Sequence, residues 1–185
     1  MGSIMPDAVE ICNKDKSHFK VETDTLKYLD FVAYRTLYRD LMLRDDLYLG
    51  YYIHLVVDAF YRSYIYQNCF TMPQTREEVA LLHHDYHILN AYIVNKYNIH
   101  NILEKEHSFS YEPINDIATF LIEDSLCKLS DEFVEQPQGA TNFLTEHMLD
   151  EFIKTYIPLA IDEIRNLKNG TSTLRPIAYA WQHNK

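Results

Sequence analysis

Apolar positions recur along this chain mostly at helical spacing. Leu26, Leu29, Phe31, Ala33, Leu37, Leu41 and Leu43 predict a first helix from Thr25 to Arg44, capped by Asp24 or Thr25. Asp45 and Asp46 then supply a cap and favourable negative charge for a second helix, LYLGYYIHLVVDAFYRSYIYQ, running to about Asn68. It is apolar nearly all round, the pattern of a central helix. Thr75 and Glu78 form a capping box opening a third helix to about Tyr97. Pro113 suits a first helical turn, and Ile117, Phe120, Leu121 and Leu129 continue as the stripe of a fourth. The loop from Glu135 to Ala140 contains Pro137 and Gly139. A last helix from about Thr141 to Leu167 stops at Asn169-Gly170, and the tail TSTLRPIAYAWQHNK is assigned no element.

Composition supports this reading. Hydrophobic residues make up 47% of 185, with only 4 Gly and 6 Pro to break helices. The expectation is an all-α fold, a single domain over residues 1–185 with about five long helices, without internal repeat or interdomain linker. Charge narrows the function. Lys and Arg number 17 against 27 Asp and Glu, a net charge of −10, which repels a long nucleic acid. Cys12, Cys69 and Cys127 show no CxxC spacing and lie in apolar stretches, so buried structural thiols are expected. The start of the chain lacks the basic and apolar segments of a secretory signal, and His54, Asp58 and Arg62 interrupt the most apolar stretch. A cytoplasmic protein without a membrane span is expected.

The same central stretch carries the strongest candidate chemistry. His54 and Asp58 are four residues apart, so both side chains project from one helix face within reach of one divalent ion. A buried carboxylate needs a cation or donors, and here an intrahelical hydrogen bond to His54, or Arg62 one turn on, would also serve. Asp7 and His18 lie in the irregular N-terminal stretch and would complete a four-ligand site. Further candidates crowd HHDYH. His83 and His87 share a face, while His84 and Asp85 point elsewhere, so they cannot all serve one ion. His100 with Glu104 and His147 with Glu151 repeat the His-acid spacing. No GxSxG, P-loop or GxGxxG is present. Tyr48, Tyr51, Tyr52, Tyr61 and Tyr64 would line either the core or an aromatic pocket.

The ordered segments GSIMPD, SHF and LGYYIHLVVD resemble the zinc-dependent phospholipase C and single-strand nuclease superfamily, in particular its small bacterial members. The resemblance covers about half of the chain. It implies an all-helical metal-dependent hydrolase of phosphoesters in which Asp7, His18, His54 and Asp58 bind zinc or another divalent ion, and the acid in its DY segment makes Asp85 the preferred extra ligand or base. Asp7 or Asp58 would orient or deprotonate the bound water, and the substrate would be a small phosphoester or a lipid headgroup. Two family features have no match: no His precedes Asp7, and none closely follows Asp58. Two other readings stand beside it. One is a non-catalytic metal-binding helical protein. The other is an HD-type phosphohydrolase built on His84-Asp85, with His54 upstream and Asp124 or Asp150 downstream.

Overall fold

The computed structural model describes residues 1–68, 73, 75–102, 110–134 and 137–182. Cys69, Glu104 and Glu135, invoked above, lie outside the described residues.

The fold is mostly helical. The chain opens with 3-10 turns at Gly2–Ile4 and Ile11–Asn13 and a single helical turn α1 (Lys14–Ser17). Strands β1 (Lys20–Glu22) and β2 (Leu26–Leu29) follow, then α2 (Phe31–Met42), α3 (Asp46–Asn68), α4 (Arg76–Lys96), α5 (Ile122–Val134) and α6 (Glu146–Asn169). A 3-10 turn at Pro176–Tyr179 leads into β3 (Trp181–Gln182). The sheet is antiparallel in the order β1-β2-β3, with Lys20 opposite Leu29 and Lys27 opposite Trp181.

Three element boundaries differ from the sequence reading, each for a local reason. Residues 25–30 are not helical. Thr23 Oγ1 accepts the N–H of Leu26 at 3.0 Å and of Thr25 at 3.4 Å, which closes a hairpin. The helix is capped instead by Asp30, whose carboxylate accepts the Ala33 N–H at 3.0 Å. The helix expected from Pro113 begins at Ile122, because Asn115 and Asp116 hold φ of 50° and 58° and the peptide groups of Ile114 and Ile117 bond each other. The last helix starts at Glu146 rather than Thr141, because the N–H groups of residues 142–144 are taken by Asp85 of α4. Elsewhere the reading holds: the Thr75–Glu78 capping box is present, and Gly170 ends α6 with φ 72°.

Helix α3 runs through the core, burying Tyr48, Tyr51, Tyr52, Leu55, Val56, Ala59 and Phe60. It packs on α2, α6, β3 and the N-terminal turn. Three of the tyrosines singled out above are therefore core, with Tyr61 and Tyr64 packed against it. A smaller cluster of Ile65, Leu82, Leu89, Leu144 and Leu149 joins α3, α4 and the start of α6. Cys12 and Cys127 are exposed, against the expectation of burial, because they sit on a surface turn and on the outer face of α5. No helix among the described residues is long and apolar enough to cross a membrane.

Close backbone approach fixes the N-terminal segment. A Cβ on Gly2 would stand 1.8 Å from the Leu47 carbonyl oxygen, and one on Gly50 would stand 3.0 Å from the Ser3 nitrogen. The turn therefore lies directly on the first turns of α3. Met5 and Ala8, both buried, anchor it on either side of Asp7.

Candidate metal centre

Asp7, His18 and His54 come from three different elements and converge. Each offers a ligand atom within 4.8 Å of the others. His18 stands at the end of α1, where the Ser17 hydroxyl donates to the Pro6 carbonyl at 2.7 Å and ties this turn to the segment bearing Asp7. Tyr51 of α3 donates to the Ser17 carbonyl at 2.6 Å, binding the same turn to the helix that carries His54.

The imidazoles are oriented by backbone carbonyls. His54 Nδ1 lies 2.8 Å from the Ser3 carbonyl oxygen, and His18 Nδ1 lies 2.9 Å from that of Lys14 and 3.0 Å from Ser17 Oγ. A carbonyl only accepts, so each Nδ1 carries the proton and each Nε2 presents a lone pair. The two Nε2 atoms stand 3.3 Å apart. Two metal–nitrogen bonds near 2.05 Å at a tetrahedral angle hold their nitrogens about 3.3 Å apart. Asp7 Oδ1 is 3.6 Å from His18 Nε2, and its Oδ2 is 3.7 Å from His54 Nε2. At this separation a proton or a metal ion between the two nitrogens would satisfy both, and backbone support on the far nitrogen is the usual arrangement for metal-ligating histidine. The donor set suits zinc and other first-row divalent ions.

Electrostatics favour the ligating protonation states. Burial pushes the His18 pKa below its ordinary value; Asp58 opposes this and His54 reinforces it, so the ring stays neutral. Burial works against the Asp7 charge, but attraction to the His54 ring in its protonated form, to the Lys14 ammonium that donates to it and to protonated His18 outweighs this and holds the carboxylate below its ordinary pKa. The centre opens on one side: the Asp7 side chain is 59% exposed, against 8% for His18 and 17% for His54.

Asp58 sits at the edge of this cluster. Its Oδ2 is 3.9 Å from His18 Nε2 and accepts the Arg62 Nε–H at 2.9 Å. The Arg62 pairing weighed from sequence is present, and the carboxylate faces the histidines as well. Lys14, not picked out from sequence, donates to Asp7 Oδ1 and, at 3.0 Å, to the Asp7 carbonyl. Asp7 lies seven residues away and before the helical turn, so no helical spacing marked the pair.

Asp85 is placed elsewhere, which corrects the expectation that it joins the site. It is fully buried and accepts the N–H groups of Asn142, Phe143 and Leu144 and the Asn142 side-chain amide, at 2.6 to 3.0 Å. Burial raises its pKa, but these four donors outweigh that and leave it lowered. With its lone pairs committed to the loop before α6, Asp85 has little capacity left for an ion. His83, His84 and His87 are exposed, and His87 pairs with Glu132 at 2.8 Å. Asp150 accepts from Tyr92 at 2.9 Å and Tyr97 at 3.1 Å, and pairs with Lys96. His147 is exposed, and Glu151 stands 3.7 Å from Lys154. Among the described residues, Asp7, His18 and His54 form the one group with metal-ligand geometry.

Comparison with family models, with curated proteins and with solved structures finds no match to this chain.

Proposed function

We propose that this protein is a metal-dependent hydrolase acting on small phosphoesters, with zinc or a similar divalent ion held by Asp7, His18 and His54. The observation that carries the metal reading is the pair of Nε2 lone pairs 3.3 Å apart, each ring locked by a backbone carbonyl on its other nitrogen. The phosphoester preference comes from the resemblance of GSIMPD, SHF and LGYYIHLVVD to the phospholipase C and nuclease superfamily. A bound divalent ion would lower the pKa of a water towards neutrality and polarise a phosphoryl oxygen. Asp58, 3.9 Å from His18 Nε2, is within reach to orient that water and accept its proton. The exposed side of Asp7 gives substrate its approach, and the net charge of −10 favours a small substrate over a long nucleic acid.

One observation favours a non-catalytic protein. Lys14 and Arg62 already neutralise Asp7 and Asp58, which lets the fold tolerate both carboxylates without an ion. Elemental analysis of purified protein, followed by phosphomonoester and phosphodiester assays, separates the readings. We expect one or more zinc ions per chain, at least tenfold weaker zinc binding in His18→Ala and His54→Ala, and turnover lowered at least 100-fold in Asp58→Ala. Stoichiometric zinc with no ester turnover leaves the binding protein, and no zinc removes both metal-based readings.

A further inference from the structure

Arg62 stands beside the centre in an unusual setting. Its Nε is used by Asp58, and among the described residues its guanidinium makes no other hydrogen bond, which leaves both Nη groups as donors. The plane is held from a second side by Trp181, whose ring centroid is 5.5 Å from the guanidinium carbon. Asp58 Oδ2 connects the two sites, being 2.9 Å from Arg62 Nε and 3.9 Å from His18 Nε2. Arg62 Nε thus lies within about 7 Å of His18 Nε2, one of the atoms that would hold the ion. An oxyanion with one oxygen about 2 Å from the ion presents its others about 3 to 5 Å away, within a hydrogen bond of such a group.

Charge defines what would fit. Asp7 pairs with Lys14 and Asp58 with Arg62, so adding a divalent ion to neutral imidazoles leaves the site at a net charge of about +2. A neutral ester leaves that charge unanswered, and a long polyanion is repelled by the chain's −10. A planar forked donor held rigidly beside a cation matches a compact anion with several acceptor oxygens.

We propose that Arg62 binds a tetrahedral oxyanion carrying two negative charges, which shares its oxygens between the guanidinium and the ion at Asp7, His18 and His54. This rests on the metal reading above and narrows it to terminal phosphoryl groups over internal diesters. The protein carries its own reporter, since Trp181 is the sole tryptophan and stacks against Arg62.

The test is calorimetry on wild type, Arg62→Gln and Arg62→Lys: zinc first, then inorganic phosphate onto the stoichiometric zinc form, with Trp181 fluorescence followed in parallel. We expect phosphate to bind the zinc-loaded wild type and to change Trp181 emission. Affinity should fall at least tenfold in Arg62→Gln with zinc retained, and fall in part in Arg62→Lys, which keeps a cation on Asp58 without the fork. Phosphate affinity unchanged in Arg62→Gln overturns the proposal. Should Arg62→Gln lose zinc, Arg62→Lys decides, and wild-type affinity there overturns it. Zinc binding without phosphate binding by the wild type overturns this proposal alone, whereas absence of zinc binding overturns the metal reading with it.

Discussion

Asp85 and Asp7 are both acids, and their surroundings give them opposite uses. Asp85 is ionised in full burial because three backbone N–H groups and one amide converge on it. Asp85→Ala would strand those donors and cost about 3 kcal/mol, read as a lowered urea midpoint, while the metal binding proposed at Asp7, His18 and His54 should be unaffected. Its pH signature has a definite sign. A folded pKa below the unfolded value of about 3.9 means that its stabilisation is present above that pH and is lost as pH falls through the folded pKa. The acid limb of stability should therefore flatten in Asp85→Asn, and an unchanged limb would count against this account. From sequence, Asp85 was an expected ligand through the resemblance of its DY segment, and an acid at that position reads the same whether it faces an ion or a loop. His18 and His54 were legible as ligand types, but the carbonyls of Lys14 and Ser3 that select their tautomers belong to the folded backbone.

At the level of elements, the centre depends on how closely the N-terminal turn lies on α3. Gly2→Ala would drive a methyl to 1.8 Å from the Leu47 carbonyl, so the turn must lift and take the Ser3 carbonyl off His54. Zinc affinity should fall at least tenfold while far-ultraviolet circular dichroism stays near wild type; unchanged affinity would show that this contact does not set the site. Gly50→Ala meets the Ser3 nitrogen at 3.0 Å and should have a smaller effect. Helix ends follow simpler rules. Thr75→Ala removes one half of a capping box and should lower stability by about 1 kcal/mol in denaturant titration. That cap and the Gly170 stop were readable from residue type, because a cap is chemistry between near neighbours. The starts of α2, α5 and α6 were not. Leu26 and Leu29 fit a helix or a strand equally, and only the Thr23 turn and pairing with β1 decide between them.

Across the whole molecule, buried tyrosines bind α2, α3, α6 and the N-terminal turns together. Tyr34 donates to the Tyr48 carbonyl at 3.1 Å, Tyr51 to the Ser17 carbonyl at 2.6 Å and Tyr52 to Glu163 at 2.6 Å. Burial, with neighbouring groups adding to it, raises all three pKa values well above the ordinary phenol. The stability they supply is full below the unfolded value of about 10 and is lost as pH rises beyond it. Alkaline titration at 295 nm should leave about three of the 15 phenols un-ionised until the helix is lost; ionisation of all 15 before any loss of helix would refute this. Taken by itself, the sequence determined the helical class, the central place of α3, the strongest caps and the residue types at the centre, since periodicity, capping and ligand chemistry act over a few residues. Tertiary structure alone decided that the side chains of Asp7, His18 and His54 meet and that Asp85 is withdrawn into a loop. Those outcomes turn on contacts between residues as much as 59 apart in sequence, which backbone close approach and burial set and spacing along the chain does not encode.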